Sequence, residues 1–340
     1  MDVDYFKDVE AIQEIVNNAT KIVIVQADVP DGDSLGSALA LEQILGDLGK
    51  QPFLNCGVVI PKYLRYISGW DRVSQDLPAE FDASIIVDTA TDNLLDSLER
   101  SGQRKWLASK PCIVIDHHNV TPSIPYATTI FNRNAVATGE VIFQIAKHQN
   151  WPLNQQANES LLMAIMSDSL GLTSEATTAQ SIRIVAEIVE SGVSIAGLEN
   201  KRRQLMRKKP ETLTYKGKLL QRVEYYANNR IAMVTIPWEE IREHSYDYNP
   251  SMLVLDDMRM VDDVDVAIAF KFYKDGKITA KIRCNYEKGI ALKLAEQFGG
   301  GGHRYASGYK ITDGRTLENI KNETITKAAE LLDNLDNDSS

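Results

Sequence analysis

Three short aliphatic runs each stop at an acidic residue, and few folds accommodate that pattern. Residues 22–25 lead into Pro30-Asp31-Gly32-Asp33, Ser84-Ile85-Ile86-Val87 ends at Asp88, and Cys112-Ile113-Val114-Ile115 ends at Asp116-His117-His118. A strand that is apolar on both faces is buried on both faces, as in a parallel sheet sandwiched between helices. Helical periodicity fills the gaps. Leu35, Ala38, Leu39, Leu45 and Leu48 keep one side apolar up to a stop at Gly49, with Asp33 or Ser34 as the expected N-cap. The alternation predicts an α/β fold with a doubly wound parallel sheet. In such a sheet the loops at the carboxyl ends of the strands form the ligand crevice, so three acidic strand ends can converge on a cation or a phosphate.

Further along, residues 132–147 contain Ala137-Thr138-Gly139-Glu140 opening a helix. Residues 154–167 read as another, with Leu161, Leu162, Ile165 and Met166 inward and Asp168 delivered at its end. A length of 340 residues, 44% of them hydrophobic, fits two domains better than one. The boundary is expected where Lys201, Arg202, Arg203, Arg207, Lys208 and Lys209 crowd before Pro210. That gives a domain at 1–195, a linker at 196–225 and a second domain at 226–335. In the second, Val266, Ile268, Phe270 and Phe272 alternate inward up to a Lys274-Asp275-Gly276-Lys277 turn. The returning strand turns Ile278, Ala280 and Ile282 to one face and Thr279, Lys281 and Arg283 to the other. A helix near 289–298 runs into Gly299-Gly300-Gly301-Gly302-His303, a last helix covers 315–333, and the acidic end after Leu335 is expected to fray.

Charge and cysteine usage narrow the function classes. A formal net charge of −10 repels a long polyanion, so long duplex nucleic acid is not an expected partner, whereas a small anion in a local pocket is allowed. The basic cluster at 201–209 has no interleaved aromatics and reads as a solvated helix face. Three dispersed cysteines, Cys56, Cys112 and Cys284, do not form a disulfide framework or a thiolate cluster. The N-terminal stretch has neither the basic start nor the apolar run of a signal peptide or membrane span, so a cytoplasmic protein without membrane contact is expected.

Taken singly, these motifs have ordinary explanations: Pro-Asp-Gly-Asp is a turn, and Asp88 could cap a helix. Together, Asp31, Asp33, Asp88, Asp168 and one or both of His117 and His118 make an oxygen-rich set with a borderline nitrogen donor. Such a set suits Mn²⁺ or Mg²⁺ better than a structural zinc. It can hold two divalent cations about 3.5–4 Å apart, an arrangement that activates water and stabilises the leaving oxygen in phosphoester hydrolysis.

Five segments in order then carry a family resemblance: Pro30-Asp31-Gly32-Asp33 with Leu35-Gly36-Ser37, Val87-Asp88-Thr89-Ala90, Asp116-His117-His118, Ile165-Met166-Ser167-Asp168-Ser169, and Gly299 to His303 with Ala306-Ser307-Gly308. The chain resembles the DHH/DHH-associated-domain phosphoesterases, in the branch of oligoribonucleases and 3′-phosphoadenosine 5′-phosphate (pAp) phosphatases. The resemblance implies an N-terminal parallel-sheet catalytic domain, a smaller C-terminal α/β domain with a mixed sheet, and an active-site cleft between them. It implies a first cation on Asp31 and Asp88, and a second on Asp33, His117 and Asp168 with Asp88 bridging. His118 would contact the phosphate, and Asp116 would orient the histidine pair. Arg283, the loop Gly300-Gly301-Gly302 and His303 would grip the substrate, with Arg304 assisting. Implied substrates are short oligonucleotides, nucleoside bisphosphates or linear and cyclic dinucleotides, and the resemblance is compatible with a homodimer. One position departs from the family: where the first strand usually ends in a metal-binding histidine, this chain has Ala27. Asp28 or Gln26 would have to supply an oxygen instead, or the first cation is weakly held and the chain binds nucleotides with impaired turnover.

Overall fold

A computed structural model describes residues 3–245 and 248–338, which divide into two compact units at Arg207 and Lys208. In the first unit, strands β1 (Lys21–Gln26), β2 (Gln51–Cys56), β3 (Ala83–Val87), β4 (Cys112–Asp116) and β5 (Thr129–Asn132) form an all-parallel sheet in the order β2-β1-β3-β4-β5. The helices are α1 (Val3–Asn18), α2 (Gly32–Asp47), α3 (Asp96–Arg100), α4 (Arg104–Leu107), α5 (Thr138–Gln149), α6 (Gln155–Asp168), α7 (Ala179–Glu190) and α8 (Ile195–Leu205).

The period of two along β1 explains the double burial. Ile22 and Ile24 join the core made with α1, α2, α5, α6 and α7, while Val23 and Val25 join Leu98 of α3 and Leu107 of α4 on the opposite face. Each such fully buried aliphatic side chain contributes about 1.5–3 kcal/mol. The helices α2 and α6 pack backbone to backbone at Gly36, where an added Cβ would lie 2.7 Å from the Ser160 carbonyl oxygen. A side chain there would displace α6 and the Asp168 it carries.

The second unit is a six-stranded mixed sheet in the order β10-β11-β9-β8-β7-β6. Its strands are β6 (Glu224–Tyr226), β7 (Ile231–Ile236), β8 (Val266–Phe272), β9 (Ile278–Cys284), β10 (Gly301–His303) and β11 (Ala306–Ile311); β7 and β8 run parallel and the other pairs antiparallel. Helices α9 (Pro210–Gln221), α10 (Trp238–His244) and α11 (Leu255–Arg259) pack on one face against Ala232, Val234 and Ala267. Helices α12 (Ala291–Glu296) and α13 (Leu317–Asp338) pack on the other against Ile268, Ile282 and Tyr309.

The division between units falls inside the 196–225 segment, most of which is helical. Leu198 of α8 belongs to the first core, whereas Tyr215 and Leu219 of α9 belong to the second, and Pro210 opens α9 at its first position. Phe272, expected inward, is 38% exposed because it ends β8 at the hairpin. The chain end does not fray at Leu335. Helix α13 continues to Asp338, with Asp333 and Asp336 bonded to Arg230 at 2.9 and 2.7 Å and Asp336 also to Lys288 at 2.5 Å.

Candidate functional site

In the first sheet the strand order reverses between β1 and β3, and the acidic strand ends gather at that reversal. Asp33, in the first turn of α2, is completely buried. Its Oδ2 accepts the Thr138 N–H at 2.6 Å, and its Oδ1 accepts the Gly139 N–H and the Ser37 hydroxyl, both at 3.0 Å. Thr138 and Gly139 begin α5, so the carboxylate sits at the positive end of that helix. Asp88 follows β3 with φ of 63°, a left-handed conformation that aspartate tolerates better than a branched residue. Its N–H is tied to the Ile115 carbonyl at 2.9 Å, and its Oδ1 accepts the Thr138 hydroxyl at 2.9 Å. Thr138 thus fixes two carboxylates at once. Sequence reasoning placed it only in a helix opening, because its partners lie 105 and 50 residues away.

His117 is the centre of the cluster. Its Nδ1–H donates to the Ala135 carbonyl at 3.1 Å, which turns Nε2 inward, and Nε2 is buried without a hydrogen-bond partner among the described residues. Around it stand Asp168 Oδ2 at 3.3 Å and Asp33 Oδ2 and Asp88 Oδ1 at 3.6 Å. Burial alone would lower the His117 pKa, but Asp168 and Asp33 outweigh it and lift it to about 9. Burial and the charge of Asp168 raise Asp33 to about 6, and burial and the Asp33 charge hold Asp88 well above the carboxylate range. All three shifts express one deficit: the cluster lacks positive charge.

A divalent cation fits that deficit. With a proton fixed on Nδ1, neutral His117 presents a lone pair to three carboxylates, an arrangement that is repulsive without a cation and coordinating with one. Asp33, His117 and Asp168 bring one donor atom each within 4.8 Å of one another, as do Asp88, His117 and His118.

The remaining first-unit residues have distinct attachments. Asp31, rather than Asp33 or Ser34, is the N-cap of α2: its Oδ1 accepts the N–H groups of Asp33 and Ser34 at 3.0 and 2.9 Å, because the helix starts at Gly32. Asp116 is buried, and its Oδ1 takes the His118 Nδ1–H at 2.8 Å and the His117 N–H at 2.9 Å. That bond to Asp116 raises the His118 pKa. Asp116 therefore orients the His118 ring, while the Ala135 carbonyl orients His117. Ala27 is buried, and Asp28 does not stand in for it. Ser97 N–H donates to Asp28 Oδ2 at 2.7 Å and the Ser97 hydroxyl donates to Oδ1. Gln26 is buried at the end of β1 with both amide atoms unpartnered among the described residues.

In the second unit, Arg283 on β9 pairs with Ala306 on β11, which pairs with His303 on β10, so the register sets Arg283 and His303 on one face. The glycine run is not a free loop. Gly300 N–H caps α12 through the Ala295 carbonyl at 2.9 Å, and Gly301, Gly302 and His303 form edge strand β10. Gly300 lies so close to β11 that an added Cβ would meet the Gly308 carbonyl oxygen at 2.3 Å. Arg304 lies over the Tyr305 ring, 5.3 Å from its centroid, with its side chain packed over Gly289.

A model of the DHH family, N-terminal domain, matches residues 21–167, which hold every one of these first-unit side chains except Asp168. The chain carries a DHH-family N-terminal domain. The chain is also similar, at 23% identity over 96% of its length and 97% of the relative's, to the bifunctional oligoribonuclease and PAP phosphatase NrnA of Thermus thermophilus. It is 27% identical to the A-adding tRNA nucleotidyltransferase of Aquifex aeolicus over 89% of this chain but 34% of that protein. An exopolyphosphatase-related protein from Bacteroides fragilis shares the fold, with a TM-score of 0.82 at 20% identity, covering 96% of this chain and 98% of the other. Among the described residues, no helix is long and apolar enough to cross a membrane.

Proposed function

We propose that the chain is a metal-dependent phosphoesterase that cleaves short oligonucleotides to mononucleotides and removes a phosphate from nucleoside bisphosphates such as pAp. The observation that carries this reading is His117 Nε2, bare and buried among three carboxylates at 3.3–3.6 Å. In this reading Asp33, Asp88, His117 and Asp168 would hold one divalent cation, Mn²⁺ or Mg²⁺, and Asp31, through the oxygen not used as a cap, would contribute with Asp88 to holding a second. Such cations supply a nucleophilic hydroxide near neutral pH and neutralise charge on the leaving oxygen. The protein's own contributions are positional. Thr138 locks Asp33 and Asp88. Asp116 keeps a proton on His118 Nδ1 and favours the imidazolium, whose half-exposed Nε2–H can donate to a phosphate oxygen. Arg283 and His303 would bind a non-scissile phosphate, Arg283 through its planar fork.

The test is a panel of dinucleotide, pAp and cyclic dinucleotide with each cation, read as mononucleotide or phosphate release. Turnover of the dinucleotide or pAp is expected; turnover of the cyclic substrate alone would replace this reading. A second reading, nucleotide binding with little turnover, is favoured by the methyl group of Ala27 and the occupied carboxylate of Asp28. It predicts one Mn²⁺ per chain in the absence of nucleotide, and no turnover of any substrate in the panel.

A further inference from the structure

One face of the second sheet is covered over β7 and β8 by α9, α10 and α11, and the same face carries cations farther along, over β9 and β11. The register fixes their placement. Thr279, Lys281 and Arg283 of β9 lie opposite Lys271, Ala269 and Ala267 of β8 on one side, and opposite Lys310, Gly308 and Ala306 of β11 on the other. Directly paired residues share a face, so Lys271, Lys281 and Arg283 stand in one oblique row across two strands. Lys281 and Arg283 are two residues apart, a separation of roughly 6.8 Å along an extended strand.

This row lacks the partners that cations of a folded protein normally have. Lys271 is 8% exposed, and its Nζ donates to Asn249 Oδ1 at 2.6 Å. Among the described residues no carboxylate forms an ion pair with Lys271, Lys281 or Arg283. Arg283 donates to its neighbouring Ile282 carbonyl at 2.9 Å, and Asp256, the carboxylate acting on it from α11, is itself bonded to Arg259 at 2.9 Å. Burial and the Lys281 charge lower the Lys271 pKa to about 8, and burial and the Arg283 charge lower that of Lys281. Keeping adjacent, partly desolvated cations unpaired is costly, and a bound anion offsets the cost. Beside them lies an open depression of about 750 Å³, lined by Asn249, Lys271, Thr279, Lys281, Gly300 and Gly308, a volume in the range of nucleotide-sized ligand sites.

We propose that Lys271 and Lys281, with Asn249, form a second phosphate subsite beside the one at Arg283, so that this unit binds a nucleotide by two spaced phosphate groups. The inference rests on the reading of Arg283 as a substrate-phosphate ligand and gives that substrate its class: a nucleoside bisphosphate or a 5′-phosphorylated dinucleotide rather than a monophosphate. Lysine ammonium groups suit the added subsite because each offers three rotatable donors to a polyatomic anion.

The test is nucleotide binding by the full chain in EDTA, where turnover is absent and the carboxylates of the first unit repel phosphate. Titration with pAp and with AMP should show the wild type preferring pAp by about tenfold, the scale of one charge-assisted hydrogen bond. Lys281→Gln should abolish that preference and leave AMP binding within about twofold, and Lys281→Arg should retain it. Equal affinity of the wild type for pAp and AMP, or an equal loss of both ligands in Lys281→Gln, overturns the subsite. Lys271→Gln repeats the test at the buried position, with a thermal melt to confirm folding. Selective pAp binding in EDTA without hydrolysis in Mn²⁺ would overturn the phosphoesterase reading alone; hydrolysis without pAp selectivity would overturn this inference alone.

Discussion

The first unit concentrates negative charge below its surface, and the second spreads positive charge across an open sheet face. The carboxylates of Asp33 and Asp88 are short side chains held by backbone N–H groups, a threonine hydroxyl and a helix terminus, so their positions are fixed before any ligand arrives. Lys281 and Arg283 have long stems and few intramolecular bonds. A rigid cluster of oxygens selects a small cation of defined coordination, while flexible ammonium and guanidinium groups adapt to a larger anion. The two charge distributions differ in the ligand they suit as well as in sign: the first suits a metal ion and the second a phosphate.

The largest expected effect separates the two regions. His117→Ala should lower turnover by roughly 10²–10³-fold, the scale of removing a group that stabilises transition-state charge. It should leave pAp affinity in EDTA intact. A parallel loss of both would break the division of labour. Next comes Asp116→Asn, expected to cost about 10–100-fold, as for other groups that orient a site residue. Because Asp116 raises the His118 pKa, the variant should also lose activity at lower pH on the alkaline limb of the rate profile. An unshifted limb would remove the His118 imidazolium from its role as donor to the phosphate.

Arg283→Gln should raise KM by about tenfold with little change in kcat, and leave Mn²⁺ stoichiometry unaltered. A change in stoichiometry would mean that the basic face contributes to the cation site. The smallest effect is thermal. In the cation-free protein, Asp33 is lifted to about 6 and His117 to about 9, so the folded state binds more protons than the unfolded state between the ordinary and the raised values. Both contributions are full at low pH and are lost as pH rises, for Asp33 from about 4 to 6 and for His117 from about 6.5 to 9. At a Mn²⁺ concentration a hundred times its Kd at pH 8, the melting temperature should therefore rise by about 5–10 °C at pH 8 and by less at pH 5. A gain independent of pH would place the ion elsewhere.

The parallel sheet and its acidic ends were readable from the chain because strands buried on both faces are uninterrupted aliphatic runs. Strands such as β2, with Gln51, Pro52 and Asn55, and the short glycine-rich β10 carry no such signal and become strands through their neighbours. The sequence alone determined which residue types stand at the strand ends and, through the period of two, that Arg283 and Lys281 share a face. It did not determine what those residues touch. Tertiary structure made Asp31 the cap of α2, attached Asp28 to Ser97, set the His117 ring on the Ala135 carbonyl and placed Thr138 between two carboxylates. It also aligned Lys271 with Lys281. Periodicity is a property of one segment, whereas hydrogen-bond partners and strand register are properties of pairs of segments far apart in the chain, and they exist only once the chain is folded.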